Sequence, residues 1–229
     1  MNTLGILGGL GPAASCYFYD LLIRLACAAQ DCPAKQDQDH PDVLLYSKAS
    51  IPDRSAYLLG QGESPLPALA EGVTLLARAG AGAIAVPCAT AHHWYPEMRA
   101  AVSVPVLNML ELTAKALRRE GVTKAALLAT EGSYVSGAFA AALEREGIAP
   151  LLPGPEHRNA LMDVIYGIKS GRMPDKQVLE AHAAPLIARG AERVILGCTE
   201  LSLFAREGLP EMYIDAMRVL AEELLQCRS

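Results

Sequence analysis

Short apolar runs alternate along the chain with longer amphipathic stretches. An α/β fold on parallel strands produces that alternation, because its strands are covered on both faces while each covering helix carries a single apolar stripe. The apolar runs predict strands at 3–7, 43–46, 83–86, 104–106, 125–128, 194–196 and 212–214. The periodic stretches between them predict helices at 12–29, 66–79, 111–119, 135–146, 157–169, 175–188 and 216–225. The first helix opens on Pro12, where a missing N–H costs nothing. Two stretches fit neither period: 30–42, polar and rich in Asp and Gln, and 47–67, which carries Ile51-Pro52-Asp53-Arg54 and Gly60-Gln61-Gly62. Loops of that length in a compact domain are either disordered or functional.

The pattern also repeats itself weakly. One apolar run ends in Val86-Pro87-Cys88-Ala89-Thr90, and a much later one ends in Leu196-Gly197-Cys198-Thr199-Glu200. Both place a cysteine at the carboxyl end of a strand, directly before a predicted helix. A single buried cysteine is common packing; a matched pair predicts two related lobes facing a shared cleft.

Composition narrows the classes. At 229 residues the chain is long enough for one large domain or two small lobes. No uninterrupted apolar run approaches the roughly 20 residues of a membrane-spanning helix, and nothing resembling a signal peptide precedes the first apolar run, so the expectation is a cytoplasmic protein with no membrane partner. A net charge of −5 without a basic stripe argues against nucleic acid and for a small-molecule ligand. The six cysteines, Cys16, Cys27, Cys32, Cys88, Cys198 and Cys227, read as free thiols in a chain of this length with no secretory signal. Those outside the matched pair are expected to be buried packing residues.

Gly9-Leu10-Gly11-Pro12-Ala13-Ala14 fits the dinucleotide fingerprint G-x-G-x-x-[G/A]. That fold also needs an acid at the end of its second strand, and the strand at 43–46 runs into Ser47 and Lys48, while Asp31 falls in the polar loop ahead of it. Nicotinamide binding is therefore set aside, and no cofactor is expected. The Gly9 and Gly11 turn still presents backbone N–H groups and a positive helix end suited to a carboxylate.

The cysteine pair carries the chemistry. A helix N-terminus stabilises a thiolate and lowers its pKa toward the range useful for proton transfer. Racemisation at an α-carbon needs a base on one face and an acid on the other, with the roles exchanged for the opposite enantiomer; Cys88 and Cys198 supply such a pair. Glu200, two residues after Cys198, and His92, four residues after Cys88, are candidates to tune the thiols. The Cys88/His92 spacing also suits a metal, but no second cluster completes a site, and none is expected. Arg54 and Lys169 are candidate cations for substrate carboxylates, although such a residue read alone is more often a surface charge.

At this point the residues resemble a known family. The chain is similar, over nearly its whole length, to the aspartate racemase branch of the aspartate/glutamate racemase superfamily. The resemblance rests on Gly8-Gly9-Leu10-Gly11-Pro12, Ile51-Pro52-Asp53-Arg54, Pro87-Cys88-Ala89-Thr90-Ala91-His92, Leu128-Ala129-Thr130-Glu131-Gly132-Ser133, Ile165-Tyr166-Gly167-Ile168-Lys169-Ser170-Gly171 and Leu196-Gly197-Cys198-Thr199-Glu200-Leu201, in that order. It implies two pseudo-symmetric α/β lobes, each a mainly parallel sheet flanked by helices, with the substrate between them. The lobes would be 1–106, with 216–229 packing back onto it, and 107–215. It further implies a cofactor-independent racemase of aspartate, glutamate or a relative, often a homodimer. Cys88 and Cys198 would be the opposed bases, Arg54 and Lys169 the carboxylate-binding cations, and Thr90, Thr130, Ser133 and Thr199 the hydrogen-bonding residues of the pocket.

One position departs from the pattern. The family's first cysteine motif reads Cys-Asn-Thr-Ala-His, and here Ala89 stands where Asn is usual. An amide that donates and accepts beside the substrate is missing, worth about 1–3 kcal/mol if a buried partner is left bare. Two other expectations stay open: a related enzyme of the maleate isomerase or decarboxylase type working through one thiol, and a non-catalytic amino-acid-binding homologue.

Overall fold

The computed structural model describes residues 2–30 and 32–228, so Asp31 lies outside the described residues. The first half of the chain forms β1 (Thr3–Gly8), α1 (Pro12–Ala28), β2 (Val43–Ser47), α2 (Arg54–Leu58), α3 (Leu66–Arg78), β3 (Ala81–Ala85), a 3₁₀ turn Ala89–Trp94, α4 (Tyr95–Ala100) and α5 (Met109–Arg119). The second half forms β4 (Lys124–Leu128), α6 (Glu131–Ser136), α7 (Ala138–Arg145), β5 (Ala149–Leu151), α8 (Pro155–Lys169), α9 (Gln177–Ala188), β6 (Arg193–Leu196), a 3₁₀ segment Leu201–Glu207, β7 (Tyr213–Asp215) and α10 (Ala216–Gln226). The fold is α/β, with two separate parallel sheets flanked by helices. Among the described residues no helix is long and apolar enough to cross a membrane.

The sheets repeat one design. The first is ordered β2-β1-β3 and the second β5-β4-β6-β7, so in each the first strand is flanked by the second and the third. The run at 104–106 is not a full strand. It makes one parallel bridge, Val106 to Ile84, because Pro105 has no N–H to give and contributes only its carbonyl, which accepts from the Ile84 N–H at 2.9 Å. That bridge occupies the place of β7 in the other sheet. Conversely, β5 was not foreseen: it is short and contains Pro150, tolerable because the strand lies at a sheet edge.

The helix expected at 135–146 is broken. Gly137 adopts φ 65°, a left-handed conformation that ends α6 and redirects the chain into α7. Within the loop 47–67 the Asp53 side chain accepts from the Ala56 N–H at 2.8 Å and starts α2, so Arg54 sits on a helix turn.

One apolar core, formed by α3, α4 and one face of the first sheet, contains Leu7, Leu69, Val73, Ile84 and Met98. A larger one runs from Phe18 of α1 through Leu110 of α5, Leu220 and Leu224 of α10 and on to Leu127 and Ile195 of the second sheet. Helix α10 touches α1 and α5 and also reaches β3 and β6, so it lies between the two sheets. Burying each of its leucines is worth about 1.5–3 kcal/mol.

The cysteines divide differently from expectation. All six are free, but Cys16, Cys27 and Cys32 are exposed and Cys227 is half-buried; Cys88 and Cys198 are the buried ones. Cys16 follows Ala14 and Ser15 and precedes Tyr17 and Phe18 on α1, and it points outward where those neighbours point in.

Candidate active site

Beyond β3, Val86 and Pro87 carry the chain to Cys88, which is still extended (φ −159°, ψ 104°) and caps the following 3₁₀ turn. His92, in that turn, is fully buried, and burial holds its pKa below the usual imidazole value. A neutral ring protonated on Nδ1 satisfies the two nearest of its three polar neighbours: Nδ1–H donates to the Cys88 carbonyl at 2.9 Å, and Nε2 accepts from the Met109 N–H at 3.1 Å, with the Leu107 carbonyl farther from Nε2 at 3.3 Å. His92 therefore holds the backbone of the cysteine turn against the start of α5, and its ring contacts the Cys88 carbonyl.

The second cysteine has charged company. After β6 and Gly197, the Cys198 Sγ–H donates to Glu200 Oε2 at 3.1 Å, while Glu200 Oε1 accepts from Lys169 Nζ at the end of α8. The Glu200 side chain is only 5% exposed, so the ion pair is largely shielded from water. Burial, and then the Glu200 charge, push the Cys198 thiol well above its usual pKa, with Lys169 pulling the other way. The expected lowering by a helix N-terminus fails for Cys198: a short 3₁₀ segment and a nearby carboxylate replace the aligned dipoles of an α-helix. Burial also works against the charge on Lys169, but Glu200 and the facing thiols outweigh it and raise the Lys169 pKa.

Both turns open into one cleft between the sheets. Its walls include Cys88, Cys198, Arg54, Lys169, Thr90, Thr130, Thr199 and Glu200, together with Leu10, Ala89, Met162, Ile165 and Tyr166. The interior is tight. A water-sized body has about 20 Å³ in which to move its centre, room for about one water, so an amino acid must widen the cleft to enter. Ser133 stands behind the wall, where Thr90, Thr130 and Ser133 form a ring of hydroxyls at 2.9, 2.8 and 3.0 Å that ties one lobe to the other.

The remaining sequence candidates take distinct places. Arg54 lines the cleft, but its Nη1 donates to the carbonyls of Ile51 (3.2 Å) and Pro52 (3.0 Å), and its Nη2 to that of Leu10 (2.7 Å). Its Nε is buried without a partner among the described residues. Gly9 and Gly11 line an adjoining hollow with Arg54, Lys169 and Glu200. Gly9 has φ 89°, and a Cβ there would collide with the Lys48 backbone; a Cβ at Gly11 would overlap Glu200 Oε1. The glycine fingerprint thus has a local explanation: one residue makes a tight turn, the other leaves space for the Glu200 carboxylate. Met162, Ile165 and Tyr166 are not among the site candidates from sequence, although Ile165 and Tyr166 stand in one of the family motifs. Their signal was available, since they stand seven, four and three residues before Lys169 on one face of α8.

Known proteins share the sequence pattern and the fold. The family described as Asp/Glu/Hydantoin racemase matches residues 7–224. The broad specificity amino-acid racemase RacX of Bacillus subtilis (strain 168) is 30% identical over 200 residues, covering 87% of this chain and 86% of that protein. The structure of Picrophilus torridus aspartate racemase superposes with a TM-score of 0.83 at 28% identity, covering 100% of this chain and 94% of the other. An aspartate racemase homologue from Pyrococcus horikoshii OT3 has a TM-score of 0.79 over 100% of this chain and 99% of its own, and at 24% identity that likeness concerns the fold.

Proposed function

The chain belongs to the Asp/Glu/hydantoin racemase family, and from that membership we propose that it is a cofactor-independent amino-acid racemase in which Cys88 and Cys198 exchange the α-proton. The observation that carries the reading is the placement of two buried thiols, from equivalent strand ends of two similar sheets, on one cleft. Two bases that approach an α-carbon from different lobes meet the geometric need of inversion.

In the proposed cycle one cysteine, as thiolate, removes the α-proton, and the other, as thiol, returns its own proton to the opposite face. The cysteines end with their protonation states exchanged, and catalysis in the reverse direction restores them. Arg54 is the cation that faces the α-carboxylate. It is held ready by its carbonyl contacts, which fix the guanidinium plane before substrate arrives. Glu200 takes the hydrogen bond of the Cys198 thiol and is itself balanced by Lys169. Tight walls limit water around the carbanion, where charge interactions are stronger than in bulk solvent.

The test is racemisation followed by chiral chromatography in deuterium oxide. The wild type is expected to interconvert enantiomers with deuterium uptake at Cα, and Cys88→Ser and Cys198→Ser are each expected to stop the interconversion. Racemisation that persists in either variant removes that cysteine from the mechanism.

A further inference from the structure

We infer, resting on the racemase reading above, that the cleft takes α-amino acids with one carboxylate and an uncharged side chain in preference to aspartate and glutamate. The first argument is charge. Arg54 and Lys169 are the cations among the described residues of the wall, and Lys169 is already paired with Glu200, whose side chain is 5% exposed. Asp53 stands on the same wall next to Arg54, so two cations face two carboxylates, and a substrate with one ammonium and one carboxylate leaves that balance unchanged. A second carboxylate that claimed Lys169 would strand Glu200, buried and unpaired, beside a like charge.

The second argument counts donors. Thr90, Thr130 and Ser133 have one hydroxyl proton each, and their three mutual contacts use all of them. No hydroxyl in that ring is left to donate to an extra carboxylate unless the tie between the lobes is broken. The third argument is the wall itself. Ala89, next to Cys88, offers no amide, and Leu10, Met162 and Ile165 present apolar surface to the same space. A neutral side chain loses nothing against that apolar surface, whereas a carboxylate placed on it forfeits its hydration without replacement.

The experiment measures kcat/KM for Cα deuterium uptake by the wild type with alanine, methionine, aspartate, glutamate and lysine. Alanine or methionine is expected to exceed both dicarboxylates by about tenfold or more. Aspartate or glutamate at or above the neutral amino acids, or lysine above them, overturns the inference while leaving the racemase reading intact. If no amino acid exchanges, the racemase reading falls; calorimetric titration with the same panel then decides specificity, and tighter binding of a dicarboxylate overturns it. Glu200→Gln tests the cause, since it frees the Lys169 charge. Its ratio of aspartate to methionine affinity is expected to rise, and an unchanged ratio overturns the charge argument.

Discussion

The two cysteine turns use one backbone device and two different electrostatic settings. In each, the cysteine follows the third strand of a parallel sheet, and the residue four positions later ties the turn to a helix that begins after the next extended segment. His92 accepts from the Met109 N–H at the start of α5; Ser202 donates to Asp215, the N-cap of α10, at 2.6 Å. The settings then diverge. Beside Cys88 stand Ala89 and the hydroxyl of Thr90, whereas Cys198 hydrogen-bonds a carboxylate that is paired to a lysine. The duplicated backbone places the two thiols; the side chains around them give the two different electrostatic neighbours.

The sharpest way to break the comparison is to remove one thiol at a time. Serine is far too weak an acid to serve as the base, so each of Cys88→Ser and Cys198→Ser is expected to lower racemisation by about 10³-fold or more. The remaining thiol can still remove and return a proton on its own face. Residual Cα exchange is therefore expected with only one enantiomer, and with opposite enantiomers in the two variants. Exchange of the same enantiomer in both would mean that the thiols do not face opposite sides of the carbon.

A smaller effect is expected from Glu200→Gln, which makes the second turn uncharged like the first. The raised pKa of Cys198 means that its thiolate forms late as pH rises, so the direction that uses Cys198 as base gains rate toward alkaline pH. Removing the Glu200 charge lowers the cost of the thiolate and is expected to move that limb to lower pH, while kcat falls by about 10²-fold through loss of the charged acceptor and of the Lys169 ion pair. A pH profile that does not move would show that Glu200 acts only by shape.

Much of this was legible in the sequence. The alternation of periods located six of the seven strands or their near neighbours and most of the helices, because buried parallel strands and one-sided helices leave distinct patterns. What escaped was set by single residues: Pro150 hid β5, Pro105 shortened the run at 104–106 to a bridge, and Gly137 split a helix whose apolar period continues across it. The cleft residues were recognisable by type. Their partners were not, since the pairing of Lys169 with Glu200 joins the end of α8 to a turn after β6 and has no local signature. Nor does any pattern reveal that Arg54 spends three hydrogen bonds on its own surroundings.

The tether at His92 offers a test on stability. His92→Ala leaves the buried Met109 N–H without its acceptor and opens a void, at an expected cost of about 2–3 kcal/mol in denaturant unfolding. The pH dependence has a definite sign. Burial depresses the pKa of His92 in the folded chain, so its contribution is complete above the unfolded value near 6.5 and is lost as pH falls through the folded value. The alanine variant should lack that acid sensitivity, and a variant that keeps it would place the titration elsewhere.

The smallest effect concerns the helix caps that receive the tethers, where the lobes differ by one atom type. Asn108 caps α5, its Oδ1 accepting from the N–H groups of Leu110 and Glu111 at 3.1 and 3.3 Å; Asp215 caps α10, its Oδ1 accepting from Met217 N–H at 3.0 Å and from Ser202. Burial pushes the Asp215 carboxyl up to about 6, against Ser202 and the helix N–H groups, which pull it down. Its folded pKa therefore lies above the unfolded value, and the folded chain holds the proton more tightly. That contribution is fully present below about pH 4 and is lost as pH rises through about 6, a fall of about 3 kcal/mol. Asp215→Asn gives the second lobe the neutral cap of the first and keeps an oxygen for Met217 and Ser202. Unfolding free energy measured from pH 4 to 7 is expected to lose that fall. A variant whose pH dependence matched the wild type would assign the fall to another group and leave the two caps electrostatically alike.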